Sequence, residues 1–178
     1  MKILKQITIV TFVVCLSAIA AFSQARSIKS VADDAVFRSE EDGFEISLPA
    51  NMVQKETLKE SGKNGRGYMW EFSDAIIAVG VETRPKAVKT DADIAAVITA
   101  YKAEALKEDK ILSETNASIG EYQGRSFVVE KDGNKSLIIV MAWEKFVVTL
   151  VGANLSKSPE IQKLVLEAIQ SFEFVNDK

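Results

Sequence analysis

The sequence predicts an α+β domain: an α/β/α sandwich whose central sheet is mainly antiparallel, with elements in the order ββββ-α-ββββ-α-β. Three observations carry this. Two segments space their apolar residues at helical intervals. The runs around them alternate apolar and polar residues with period two. The later runs are joined by turns short enough to close hairpins, which makes neighbouring strands antiparallel.

The elements follow in order. Structure is expected to begin near Ala35. Phe44, Ile46 and Leu48 alternate with Glu45 and Ser47, a half-buried strand that opens after Gly43 and stops at Pro49. Met52 to Leu58 is a weaker strand. The glycine-rich run from Ser61 to Gly67 is a hairpin tip. Tyr68, Trp70 and Phe72 alternate again, and Ile76 to Thr83 is a more continuously apolar strand ended by Arg84-Pro85. The period then changes. Ile94, Val97, Ile98, Tyr101 and Ala105 mark one face of a helix over Asp91–Glu108. Thr90 and Asp93 are spaced as a capping box, and Lys107 complements the dipole at the other end.

Four strand-like runs follow: Ile111 to Ile119, Arg125 to Lys131, Ser136 to Trp143, and Phe146 to Ala153. Asp132-Gly133-Asn134 is a hairpin turn, because Gly and Asn tolerate positive φ. Glu144-Lys145 is a second tight turn. The last two runs are apolar on both faces, as central strands covered on two sides would be. Ser158 at N-cap and Pro159 at N1 open the final helix, whose buried stripe runs through Ile161, Leu164, Val165, Ala168, Ile169 and Phe172. Phe172 to Val175 closes as a short edge strand.

Residues 1–25 are read as a cleaved secretory signal peptide. Lys2 and Lys5 precede an apolar run from Ile7 to Phe22, and Ser23-Gln24-Ala25 offers small residues at the cleavage positions. The run is shorter than the ~20 residues of a typical membrane span, so a retained anchor is the second reading. Cys15 sits inside the run without the residues expected before a lipidated cysteine. Residues 26–34 form a flexible leader and 35–176 a single domain. Cleavage would remove two lysines and no acid, taking the net charge from −3 to −5, and would remove the only cysteine. The expected address is periplasmic or extracellular, with no stable membrane insertion after cleavage.

Composition excludes several chemistries. The chain has no histidine, hence no Ser-His-Asp triad, Cys-His pair or His metal ligand. One cysteine cannot form an intramolecular disulfide or a thiolate zinc site. A pI of 5.2 argues against a bulk nucleic-acid binder. Gly62, Gly65 and Gly67 with Lys63 and Arg66 superficially suggest a phosphate loop, but a strand follows and the lysine is misplaced. Asp91-Ala92-Asp93 is no calcium loop, since Ala96 stands where the turn glycine belongs. The acidic runs Asp33-Asp34 and Glu40-Glu41-Asp42 read as turns and solvated surface, with a weak surface calcium site at 40–42 as the sharper alternative. No Ser-x-x-Lys pair occurs. Asn116, Asn134 and Asn154 begin N-x-S sequons, which matter only in a glycosylating pathway.

Certain local motifs resemble the PsbP-like (Mog-like) superfamily. Gly43-Phe44-Glu45-Ile46-Ser47-Leu48-Pro49-Ala50 looks like its opening strand. Gly124-Arg125-Ser126-Phe127 leading to Asp132-Gly133-Asn134 looks like its central hairpin, and Phe146 to Gly152, then a helix, then Ser171-Phe172-Glu173-Phe174, like its closing section. The resemblance covers residues 36–175. One departure is visible: the family's opening motif usually continues into Gly-Trp, where this chain reads Ala50-Asn51-Met52. The resemblance implies an exported bacterial domain of unknown function with an accessory or binding role. It implies no catalytic residue, metal or cofactor.

The functional expectation is therefore a non-enzymatic exported domain that associates with or stabilises another envelope protein. The alternatives are a carrier with an apolar pocket between sheet and helix, and a carboxylate-based hydrolase. The candidate partner-binding residues are Tyr122, Arg125 and Trp143 at the sheet ends, and Lys63 and Arg66 at the glycine-rich tip, because aromatics and arginine are enriched at interface hot spots. Core packing is the competing reading of the aromatics.

Overall fold

The structure, a computed structural model, describes residues 35–49, 52–59, 65–72, 74–154 and 158–175. The expected signal segment, the leader and Lys63 lie outside the described residues. Among the described residues, no helix is long and apolar enough to cross a membrane.

Five strands come first: β1 (Ala35–Ser39), β2 (Phe44–Leu48), β3 (Val53–Lys59), β4 (Gly65–Phe72) and β5 (Ala75–Val88). Helix α1 (Asp91–Ala105) follows, then β6 (Lys110–Ile119), β7 (Tyr122–Lys131) and β8 (Asn134–Asn154), α2 (Pro159–Gln170) and β9 (Glu173–Phe174). A six-stranded sheet runs β3-β4-β5-β8-β7-β6, and a small sheet runs β1-β2-β9. Every pairing between these strands is antiparallel.

The expected α+β class and the order of strand and helix segments are both present. Local chemistry explains the helices. Thr90 Oγ1 accepts from Asp93 N at 3.2 Å while Asp93 Oδ2 accepts from Thr90 N at 3.2 Å, the reciprocal capping box. Ser158 caps α2 ahead of Pro159. Several boundaries differ from expectation: β4 takes in Gly65–Gly67, expected as hairpin tip, and β7 starts at Tyr122 instead of Arg125. Ala35–Ser39 is a strand, paired with β2. The first helix stops at Ala105, with Leu106 as its C-cap. Strand β5 continues past Pro85 to Val88, because the ladder to β8 is irregular between Thr83 and Val88, so a residue without an N–H is tolerated there.

Strand β8 is folded double. Fifteen extended residues would separate Leu137 from Gly152 by ~50 Å, yet both line one cleft. The burial parity also inverts midway. Ile138, Val140 and Ala142 share a face with Val147 and Val151, while Met141 shares the other with Val148 and Leu150. A two-residue reversal at Glu144-Lys145 produces both facts, and Glu144 has the positive φ of 44° that such a turn requires.

The sheet is covered on both faces. On one, Val97, Ile98 and Tyr101 of α1 pack on Phe127, Val129, Ile138 and Val140. Tyr101 is deeply buried, which pushes its phenol pKa up, and its hydroxyl pairs with Thr149. On the other face, Ala168 and Ile169 of α2 and Phe44, Ile46 and Leu48 of β2 pack on Trp70, Ile77, Val79, Met141 and Leu150. Fully burying one such aliphatic or aromatic side chain stabilises by about 1.5–3 kcal/mol. Gly152 lets α2 approach: a Cβ there would lie 2.5 Å from Val165 Cγ1.

Candidate functional site

Alternation along β7 decides what can act together. Tyr122 pairs with Ile119 and points to the α2 face, as Gly124 and Met141 do. Arg125 lies opposite Val140, whose side chain belongs to the α1 face. Residues three apart on a strand point to opposite sides. The structure therefore brings Tyr122 and Trp143 together and puts Arg125 across the sheet from them.

On the α2 face the turn end of β8 carries an aromatic cluster. The rings of Tyr122 and Trp143 are 4.4 Å apart. Phe174 of β9 stands edge-on to both, at 4.7 Å from Tyr122 and 4.4 Å from Trp143. Phe146 lies 5.8 Å from Trp143 and is 37% exposed. Phe172 continues the stack inward, 5.0 Å from Phe174 and 5.3 Å from Phe44. Tyr122, Trp143 and Phe174 are half-buried. The cluster is thus rooted in the core at one end and presents aromatic surface at the other. Sequence reasoning missed Phe146 and Phe174. The signal for Phe146 was available, since a two-residue turn at 144–145 places it across from Trp143.

Arg125 sits in a separate polar group. Its Nη1 donates to Asn116 Oδ1, and its Nε is 3.7 Å from Glu114 Oε1. Glu114 also takes Lys102 Nζ at 2.6 Å, and that ammonium lies 5.9 Å above the Phe127 ring.

Arg66 is committed within the fold. Its Nε donates to both Asp42 carboxylate oxygens at 2.9 Å, and its Nη1 pairs with Glu41. Tyr68 Oη donates to Asp42 Oδ2 at 2.6 Å and lies 3.0 Å from Ser39 Oγ. The Asp42 side chain is only 4% exposed. These contacts clamp the β1–β2 turn onto β4. Hydrogen bonding to Asp42 raises the Arg66 pKa, and burial chiefly raises that of Tyr68. This buried carboxylate is the polar centre that sequence patterning did not show.

Two further features bear on ligands. A cleft of about 470 Å³ lies between α2 and β7–β8, with Val128, Leu137, Val165 and Leu166 as apolar lining and Glu130 and Lys135 as charged lining. On the outer surface of the small sheet, Glu45 and Glu173 are direct cross-strand partners. A hydrogen bond to Glu45 holds the Glu173 carboxyl above the usual glutamate range. Among the described residues no group of three or more acidic, His or Cys side chains is placed to hold a metal.

No family model matches the sequence, and no curated protein matches it. Solved structures do match. Cyanobacterial PsbP (CyanoP) from Synechocystis superposes with a TM-score of 0.57 at 12% identity, covering 85% of this chain and 98% of that one. The Ran-binding protein Mog1p of Saccharomyces cerevisiae gives a TM-score of 0.43 at 15% identity, over 81% and 96% of the two chains. LpqN of Mycobacterium tuberculosis, involved in cell envelope biogenesis, gives 0.42 at 13% identity, over 81% and 91%. The PsbP superposition bears out the expected fold.

Proposed function

We propose that this PsbP-like domain is an exported, non-enzymatic binding or accessory module that associates with another envelope protein through the Tyr122–Trp143–Phe146–Phe174 cluster. The carrying observation is the arrangement of that cluster. Four aromatic rings converge from three separate elements, anchored below by Phe172 and Phe44 and half-open above. Rigid aromatic surface of this kind supplies contact area at low entropic cost, which is why it dominates interface hot spots. Export rests on the sequence of residues 1–25. Affinity capture from envelope fractions tests the reading. Phe146→Ala, at the exposed rim, and Trp143→Ala should both lose the bound protein, while Arg125→Ala, on the opposite face, should keep it. Equal capture by all three variants would refute the assignment.

The cleft between α2 and the sheet favours a second reading, a carrier of a small, mainly apolar ligand. Native mass spectrometry of protein purified from its own host would show a retained molecule if this is right and bare protein if it is not. The hydrolase alternative gains no support. The cleft lining holds one carboxylate, Glu130, and the facing pair Glu45–Glu173 lies on sheet surface.

A further inference from the structure

The outer edge of β6 is unusual for a sheet edge. β6 ends the six-stranded sheet and is hydrogen-bonded to β7 alone among the described strands. It is ten residues long, and all but Ala117 and Ile119 are exposed. Natural edges are protected by shortness, proline, charged side chains (especially lysine) or strong bulging. Here the one irregularity, between Ile111 and Ser113, sits at the first end. From Ser113 to Ile119 the strand pairs with β7 without a break and contains no proline and no basic residue, and its one charge, Glu114, is neutralised within the chain by Lys102. Its side chains there are mostly small: Ser113, Thr115, Ala117 and Ser118.

We propose that this edge pairs with the same edge of a second copy of the chain, forming an antiparallel, two-fold symmetric β6–β6 contact that joins the two sheets into one. Charge selects the occupant and the register. With the two-fold axis through Thr115, each Glu114 falls opposite Asn116 of the other copy. Asn116 is the residue whose amide oxygen accepts from Arg125, so each Glu114, already held by Lys102 and beside Arg125 of its own copy, also faces the other copy's Asn116–Arg125 pair. Both residues lie on the α1 face, since Glu114 and Asn116 pair with Phe127 and Arg125 of β7. Ser113 falls opposite Ala117, and Thr115 opposite itself. Moving the axis to Glu114 would oppose two carboxylates, which is destabilising. Moving it to Asn116 would set Glu114 against Ser118 and forgo the approach to the other copy's Arg125. An antiparallel pairing of this sort is isologous and closes at two copies.

Sedimentation velocity of the full chain across the micromolar range tests this. The wild type should pass from monomer to dimer with concentration. Thr115→Lys places two ammonium groups opposite each other at the axis and should be monomeric; below the dimerising range its thermal midpoint should match the wild type, because the side chain is exposed. Thr115→Glu should be monomeric for the same reason. An equimolar mixture of the two variants should recover a dimer, since Lys and Glu then face each other. A wild type that stays monomeric throughout would overturn the proposal. So would a Thr115→Lys variant that dimerises as well as the wild type, or a mixture no more dimeric than its components.

Discussion

Replacing Gly124 with alanine should be among the most damaging single methyl additions in this domain, and it tests how the aromatic site is built. Gly124 lies in β7 opposite Met141 of β8. A Cβ at this position would sit 1.9 Å from Val140 O, 2.9 Å from Met141 Cα and 2.9 Å from Val140 C. All three are backbone atoms, so no side chain can rotate away. Relief requires the β7 and β8 backbones, normally ~4.8 Å apart, to part by ~1 Å or more, given carbon–oxygen contacts near van der Waals range. That strains or breaks one or two ladder hydrogen bonds. Buried groups left unpaired cost about 1–3 kcal/mol each, and overpacking itself costs about 1–3 kcal/mol. Together these imply a loss of ~3–5 kcal/mol, or a fall in melting temperature of ~10 °C at the scaling for a domain of this size. Gly120→Ala is the control. Gly120 has φ of 58° and, among the described residues, nothing within 4 Å of a Cβ, so it should cost only the ~1–2 kcal/mol of the left-handed backbone. Urea denaturation of both variants reads the difference. Near-equal stabilities, or a Gly124→Ala variant as stable as the wild type, would refute the account of this close approach. The Trp143 fluorescence should also shift in Gly124→Ala, because Tyr122 is two residues away and rests on Trp143.

Two other perturbations follow from the polar contacts. Arg66→Ala strands the Asp42 carboxylate, which is 4% exposed, and should cost ~2–4 kcal/mol in denaturant unfolding, since breaking a buried pair leaves an uncompensated charge. Arg66→Lys should recover only part of this, because an ammonium cannot reproduce the forked contact, and full recovery would contradict the geometry. Glu173 holds its proton more tightly when folded, owing to Glu45. Its contribution is therefore complete at pH below the ordinary glutamate value and is lost as pH rises through the raised one. The wild type should thus lose some stability, and some Phe174–Trp143 contact, across that window by fluorescence. Glu173→Gln should flatten the profile, and an identical profile for both would contradict the pairing.

What the sequence reveals here is what is local or periodic. The caps at Thr90 and Ser158, the helix stripes, and the turns at 132–134 and 144–145 depend on residues a few positions apart, and the structure has them. β1 escaped because its five residues are mostly exposed and carry almost no alternating signal. The Arg66–Asp42 clamp escaped because it spans 24 residues and joins an acidic turn to the start of β4, where the glycine-rich sequence reads as a solvated tip. The separation of Arg125 from Tyr122 was legible in principle. An offset of three along a strand always divides two side chains between its faces. Phe174 is legible only as an edge residue, because nothing local says that β9 returns to lie over Trp143.

The most direct test of the proposed function is site-specific photo-crosslinking in the host, with benzoylphenylalanine replacing either Phe146 or Thr99. Phe146 lies at the rim of the aromatic cluster, and Thr99 is exposed on α1 on the far side of the sheet. The account predicts one discrete envelope-protein adduct from position 146 and none from position 99. No adduct from 146, or the same adducts from both positions, would contradict it.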